Sequence, residues 1–156
     1  MAIRNIRKEN DEILRKVSKE VPEINEKIRI LLKDMADTMY DADGVGLAAP
    51  QIGMLKRVIV VDAGEGLIGL INPKIVMETG EQIKIEGCLS FPGIFGEVKR
   101  PAMVMVEGLD ASGRKVDIEG KELLAVALCH EIDHLNGVVF KDRVIRFIDK
   151  SELENR

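Results

Sequence analysis

A chain of 156 residues has room for one ordinary domain and not for two, so residues 1–156 are expected to form a single catalytic unit. With 46% hydrophobic and 32% charged residues and a formal net charge of −4, it is composed like a folded globule. It lacks the basic excess that a sequence-independent nucleic-acid binder needs. Met1–Asn10 is polar and no apolar run approaches the roughly 18 residues that cross a bilayer, so neither a secretory signal nor a membrane span is expected and the chain reads as cytoplasmic.

After an irregular start from Asn5 to Pro22, Ile24, Ile28, Leu31, Leu32, Met35 and Met39 recur at helical spacing. They predict an amphipathic helix that ends near Asp43-Gly44, before Pro50. Arg57–Val61 and Leu67–Ile71 are short and β-branched, and Ala63–Gly66 between them predicts a hairpin. Lys74–Glu78, bracketed by Pro73 and Gly80, predicts another strand. Glycine and proline then cluster from Gly87 to Pro101, which predicts loop or bent strand. Ala102–Glu107 and Arg114–Ile118 predict a second hairpin. Lys121–Asn136 predicts a helix stopped by Gly137, and a short amphipathic tail runs from Val144. The expected class is α+β: antiparallel or mixed strands packed around a central helix, with an N-terminal amphipathic helix.

The central helix carries the chemistry, in His130-Glu131-Ile132-Asp133-His134. Side chains at i and i+4 share one face, with Cβ atoms about 5–6 Å apart, so two imidazoles can hold one divalent ion. The Glu between them lies near enough to handle a proton on water. Two surface or cap histidines are the plain alternative. Against it, the chain has only these two His, and the apolar run Leu123–Leu128 leads into them. Buried imidazoles and a carboxylate are costly unless something satisfies them.

A catalytic ion of this kind takes three protein ligands and leaves one position open. No third His exists, and the acids after His134 (Asp142, Asp149, Glu152, Glu154) belong to no local motif. Cys129 is adjacent to His130, about 100° round the helix, and should point away from the ion. Cys88 remains, in Glu86-Gly87-Cys88-Leu89-Ser90, where Gly87 permits an unusual backbone. Spacing alone leaves Cys88 as either a ligand or a buried thiol.

Three segments, Gly44-Val45-Gly46-Leu47-Ala48-Ala49-Pro50-Gln51, then Glu86–Ser90, then His130–His134, resemble the three motifs of the peptide deformylases, in family order. The similarity continues through Ile71-Asn72-Pro73 and Arg143-Val144 and spans essentially the whole chain. It implies a metallo-amidohydrolase that removes the formyl group from N-formylmethionine on newly made polypeptides, releasing formate. It also implies Cys88, His130 and His134 as ligands of one divalent ion: Fe²⁺ in cells, with Zn²⁺, Ni²⁺ or Co²⁺ as alternatives. By the same resemblance Glu131 is the acid/base, and Gln51 with the backbone N–H of Leu89 faces the formyl oxygen. Nascent N-termini are then the partner, with transient ribosome contact; some bacterial members make it through a longer terminal helix, and this tail is short. No membrane or sequence-specific nucleic-acid partner is implied.

The residues around the motifs have their own readings. Gly44-Val45-Gly46 has no phosphate-loop spacing and suits the close approach of an extended peptide, which makes Val45 and Gly46 candidate substrate contacts. Val126, four residues before His130, fits a wall for the substrate Met side chain and fits plain core equally well. Glu86 fits a loop anchor, an orienting partner for a His, or an exposed charge. Asp133 fits a pair with Arg100 or a solvated helix position. A zinc endopeptidase would share H-E-x-x-H but lacks a downstream third ligand. A non-catalytic metal domain would have no use for Glu131.

Overall fold

A computed structural model describes residues 2–154. In chain order the elements are α1 (Glu26–Asp41), β1 (Gly46–Ala48), β2 (Val58–Val61), β3 (Ile68–Thr79), β4 (Gln82–Cys88) and β5 (Phe91–Arg100). They continue with β6 (Met103–Leu109), β7 (Lys115–Lys121), α2 (Leu123–Leu135), β8 (Val144–Phe147) and α3 (Lys150–Glu154). Two sheets form, in the orders β1-β2-β3-β6-β7 and β4-β5-β8, and every pairing between these strands is antiparallel. The architecture is α+β, as expected. No helix of the described residues is long and apolar enough to cross a membrane.

Alternation along β2 explains how the layers stack. Val58 and Val60 belong to the core that α1 fills with Ile28, Leu31, Leu32, Met35 and Met39. Ile59 and Val61 turn to the other face, against Ala125, Leu128 and Ile132 of α2. Successive strand side chains point to opposite faces, so a strand covered on both sides must be apolar throughout. Val-Ile-Val-Val meets that demand. The second sheet closes over the far side of α2, and Leu14, Phe91, Val98, Val139 and Phe140 fill the corner beside it. The metal-motif helix therefore lies between the two sheets.

Two boundaries differ from expectation and one open reading resolves. Residues 67–71 and 74–78 join in one strand, β3, which passes straight through Asn72-Pro73. The ladder shifts register between Ile71 and Lys74, so the missing N–H of Pro73 is never asked for a bond. Of the two readings left open for Gly87–Pro101, bent strand holds: β4 and β5 pair through it as a hairpin, with a register shift between Glu86 and Cys88. Lys121 ends β7 instead of starting the helix, and Glu122, at φ 52°, turns the corner into α2.

Candidate metal centre

The ligand atoms of Cys88, His130 and His134 all lie within 4.8 Å of one another. Cys88 Sγ is 3.4 Å from His134 Nε2. Tetrahedral bonds of about 2.1 Å to nitrogen and 2.3 Å to sulfur place such atoms about 3.6 Å apart, so the donor set fits a small divalent ion. Helix α2 supplies both imidazoles one turn apart, with ring centroids 5.1 Å apart. The end of β4 supplies the thiol.

Two buried polar atoms lack hydrogen-bond partners at this point, Glu131 Oε1 and His134 Nδ1. Glu131 Oε2 stands 4.0 Å from His130 Nε2. The other nitrogen of His130, Nδ1, donates to Glu86 Oε1 at 2.9 Å, which leaves Nε2 as the ligand atom. Glu86 is itself gripped by Arg100, with Nε at 2.8 Å and Nη2 at 2.9 Å.

Burial pushes the Glu131 carboxyl up to about 7, opposed by His130 and reinforced by the charge of Glu86. Burial acts the same way on Glu86, but the hydrogen bonds from Arg100 and His130 outweigh it and bring its pKa to about 2. At His130 burial opposes a positive charge, and the surrounding Glu131, Cys88 and Glu86 overcome it. His134 is held neutral by burial and by His130. The field at His130 Nε2 thus favours a cation, which a metal ion supplies as well as a proton does.

These groups open into a cleft of about 590 Å³. Val45, Gly46, Val126, Gln51 and Leu89 all line it. Gln51 is buried, with Oε1 accepting from the Ala48 N–H and Nε2 lying 3.0 Å from Ser90 Oγ and 3.4 Å from Cys88 Sγ. Cys129 lines a separate cavity and takes no part in the cluster; burial holds its thiol up at about 11. Arg100 Nη1 does pair with Asp133, at 2.7 Å.

Gly87 works differently from expectation. Gly87 has no positive φ. Its role is space, since a Cβ there would meet the Phe95 ring at 2.7 Å. At Gly46 a Cβ would meet Glu131 Oε2 at 2.5 Å, so this glycine makes room for the Glu131 carboxylate as well as facing the cleft.

Ser90 was present only as the end of the Glu86–Ser90 motif, with no role of its own, and Ile6, Lys8 and Phe95 had no signal in the sequence that tied them to the site. The N-terminal segment reaches it because the Arg7 N–H donates to the Gln51 carbonyl at 2.6 Å and Lys8 Nζ reaches the Leu89 carbonyl at 3.4 Å. Arg100 as the partner of Glu86 could be read only from the β4–β5 pairing.

Known proteins agree with this geometry. The family model described as polypeptide deformylase matches residues 3–150. A peptide deformylase of Acetivibrio thermocellus is 67% identical over 156 residues, covering all of this chain and 92% of that protein. The crystal structure of peptide deformylase from Thermotoga maritima superimposes with a TM-score of 0.90 at 40% identity, over 92% of this chain and 99% of that one. That of a Synechococcus elongatus peptide deformylase in complex with actinonin gives 0.86 at 42% identity, over 96% of this chain and 81% of that one. By sequence, by fold and by the cysteine and two histidines gathered at its centre, the chain belongs to the polypeptide deformylase family.

Proposed function

We propose that this chain hydrolyses the N-terminal formamide of formylmethionyl polypeptides, with Cys88, His130 and His134 holding the metal, Glu131 moving the proton, and Gln51 and Leu89 meeting the formyl oxygen. The reading rests above all on three metal-ligand side chains converging beside a buried, half-partnered carboxylate in an open cleft. A divalent ion bound there supplies Lewis acidity, bringing the pKa of water in the open position to about 7 and polarising the carbonyl. One thiolate and two imidazoles suit Fe²⁺, the ion we assign in cells, and also accept Zn²⁺, Ni²⁺ or Co²⁺.

Glu131 has the position and the affinity for its part. Its Oε1 is free to take a proton from the attacking water, and burial, which favours the neutral acid, lets it hold that proton until the amine leaves. Water adds to the formyl carbon, the C–N bond breaks, and the amine leaves with the proton from Glu131. Formate and a free methionine amine result. Negative charge gathers on the formyl oxygen during addition, where the Gln51 amide and the Leu89 N–H donate to it; one such donor is worth roughly 3 kcal/mol. Val126 walls the methionine side chain, and Val45 and Gly46 lie along the peptide. The reaction is amide hydrolysis at a linear, non-peptide bond, carried by residues 1–156 as one catalytic unit. It takes place in the cytoplasm on chains leaving the ribosome, with transient contact there.

The test compares metal-loaded wild type with Glu131→Gln, measuring formate released from a formyl-Met peptide. The variant is expected to keep one ion per chain and to lose at least about 100-fold in turnover. Equal turnover would remove Glu131 from the mechanism. Cleavage of an unformylated peptide at an internal bond would favour an endopeptidase instead.

A further inference from the structure

The charge that orients His130 does not stop at Glu86. Arg100, 4% exposed, grips Glu86 through Nε and Nη2 and turns Nη1 to Asp133 Oδ2 at 2.7 Å. Asp133 accepts two more hydrogen bonds, from Arg143 Nε at 2.6 Å and Nη2 at 3.0 Å. Read outward from the metal-site imidazole, carboxylate, guanidinium, carboxylate and guanidinium follow in strict alternation. Side-chain exposure grows along the way, from 3% at Glu86 to 14% at Asp133 and 47% at Arg143. Asp133 sits on α2 only three residues from His130, yet its route to that ring runs through β5 and β4. It lines a second cavity of about 370 Å³ with Arg100, Cys129 and Arg143, and that cavity shares no residue with the catalytic cleft. Asp133 therefore touches neither substrate nor ion.

We propose that Asp133 is a positioning residue for His130, acting through Arg100 and Glu86, and that Arg143 modulates it with the opposite sign. The proposal rests on His130 being a metal ligand. A carboxylate that accepts Nδ1–H makes the other imidazole nitrogen a stronger donor to a metal. Glu86 serves both His130 and Arg100, so its hold on the ring depends on how much of the Arg100 charge is answered elsewhere. Asp133 answers part of it. Without the Asp133 charge, Arg100 draws on Glu86 alone, the bond to Nδ1 weakens, and His130 binds metal less firmly. Without Arg143, Asp133 turns its full charge on Arg100 and Glu86 is released toward His130. A merely structural role gives no such reversal, because loosening the network from either end loosens the metal.

The test follows release of zinc from the Zn²⁺-loaded holoprotein into excess chelator, with the visible absorption of Co²⁺-loaded samples as a second readout. Asp133→Asn is expected to release zinc about 10-fold faster and to shift the cobalt bands. Arg143→Met is expected to release zinc more slowly than wild type, and an unchanged rate overturns the part assigned to Arg143. The double variant should match Asp133→Asn, since Arg143 acts only through Asp133. Should Asp133→Asn not fold, Asp133→Ser removes the same charge with a smaller side chain and carries the same expectation. Release from the Asp133 variant at the wild-type rate overturns the proposal, and so does faster release from both single variants. Cys88→Ser and His130→Ala separate this failure from that of the ligand set. If either keeps its zinc as wild type does, the ligand assignment fails; if both lose it, only the positioning role is at stake.

Discussion

Glu86 is 5% exposed and still ionised at neutral pH, because Arg100 binds both of its oxygens and His130 shares one. Its native pKa of about 2 lies below the ordinary 4.5. The unfolded chain therefore takes up the proton first as pH falls. The stability that Glu86 contributes is complete above about pH 4.5 and is lost as pH drops through about 2. A difference of this size corresponds to about 3 kcal/mol. Glu86→Gln should lower stability at pH 7 and flatten its decline between pH 4.5 and 2 in urea unfolding. A wild-type slope in the variant would assign that proton to another group. This carboxylate was legible as a candidate from its place two residues before Cys88, but its guanidinium partner was not, because fourteen residues of chain separate them until β4 and β5 pair.

Two elements take their shape from unusual residues. In β3, Asn72 holds φ 53° while its side chain accepts from the Val21 N–H at 2.8 Å and donates to the Val21 carbonyl at 3.0 Å. Asn72→Ala loses both bonds and keeps an unfavourable backbone, a cost of about 2–3 kcal/mol. Asn72→Gly relieves the backbone and should melt higher than the alanine variant; the reverse order would mean that the conformation is not strained. Strand β1 must lie flat against α2 for Gly46 to clear Glu131. Gly46→Ala pushes on a buried carboxylate, so kcat should fall at least 10-fold, about 1.4 kcal/mol of barrier, with a much smaller change in melting temperature. Unchanged kcat would show that Glu131 tolerates the displacement. Expecting these glycines from the sequence was sound, but their reason was not visible there: Gly46 and Gly87 make room for side chains 85 and 8 residues away along the chain.

Across the whole molecule, Cys88 at the end of β4 meets His130 and His134 of α2, so an ion held there would link the second sheet to the helix that packs on the first. An ion that binds only when these parts are assembled stabilises the fold by mass action. At a free concentration 100 times the dissociation constant the gain is about 2.7 kcal/mol, or roughly 5–10 °C in a domain of this size. Loading the stripped protein with Zn²⁺ should raise the melting temperature by that amount, and Cys88→Ser should abolish most of the gain. A shift that survives the substitution would place the stabilising ion elsewhere.

Local sequence determined what local physics controls. The i, i+4 pair of histidines, the apolar stripe of α1, the turn residues of the second hairpin and the helix stop at Gly137 each act within a few residues, and each could be read from spacing alone. The order of the three motifs was enough to identify the family resemblance. Tertiary structure decided the rest. That Cys88 lies beside the two imidazoles, that Glu86 is the acid hydrogen-bonded to His130, and that Arg100 bridges Glu86 and Asp133 all depend on strand register. Register is set by burial over the whole sheet, so no short window of sequence contains it.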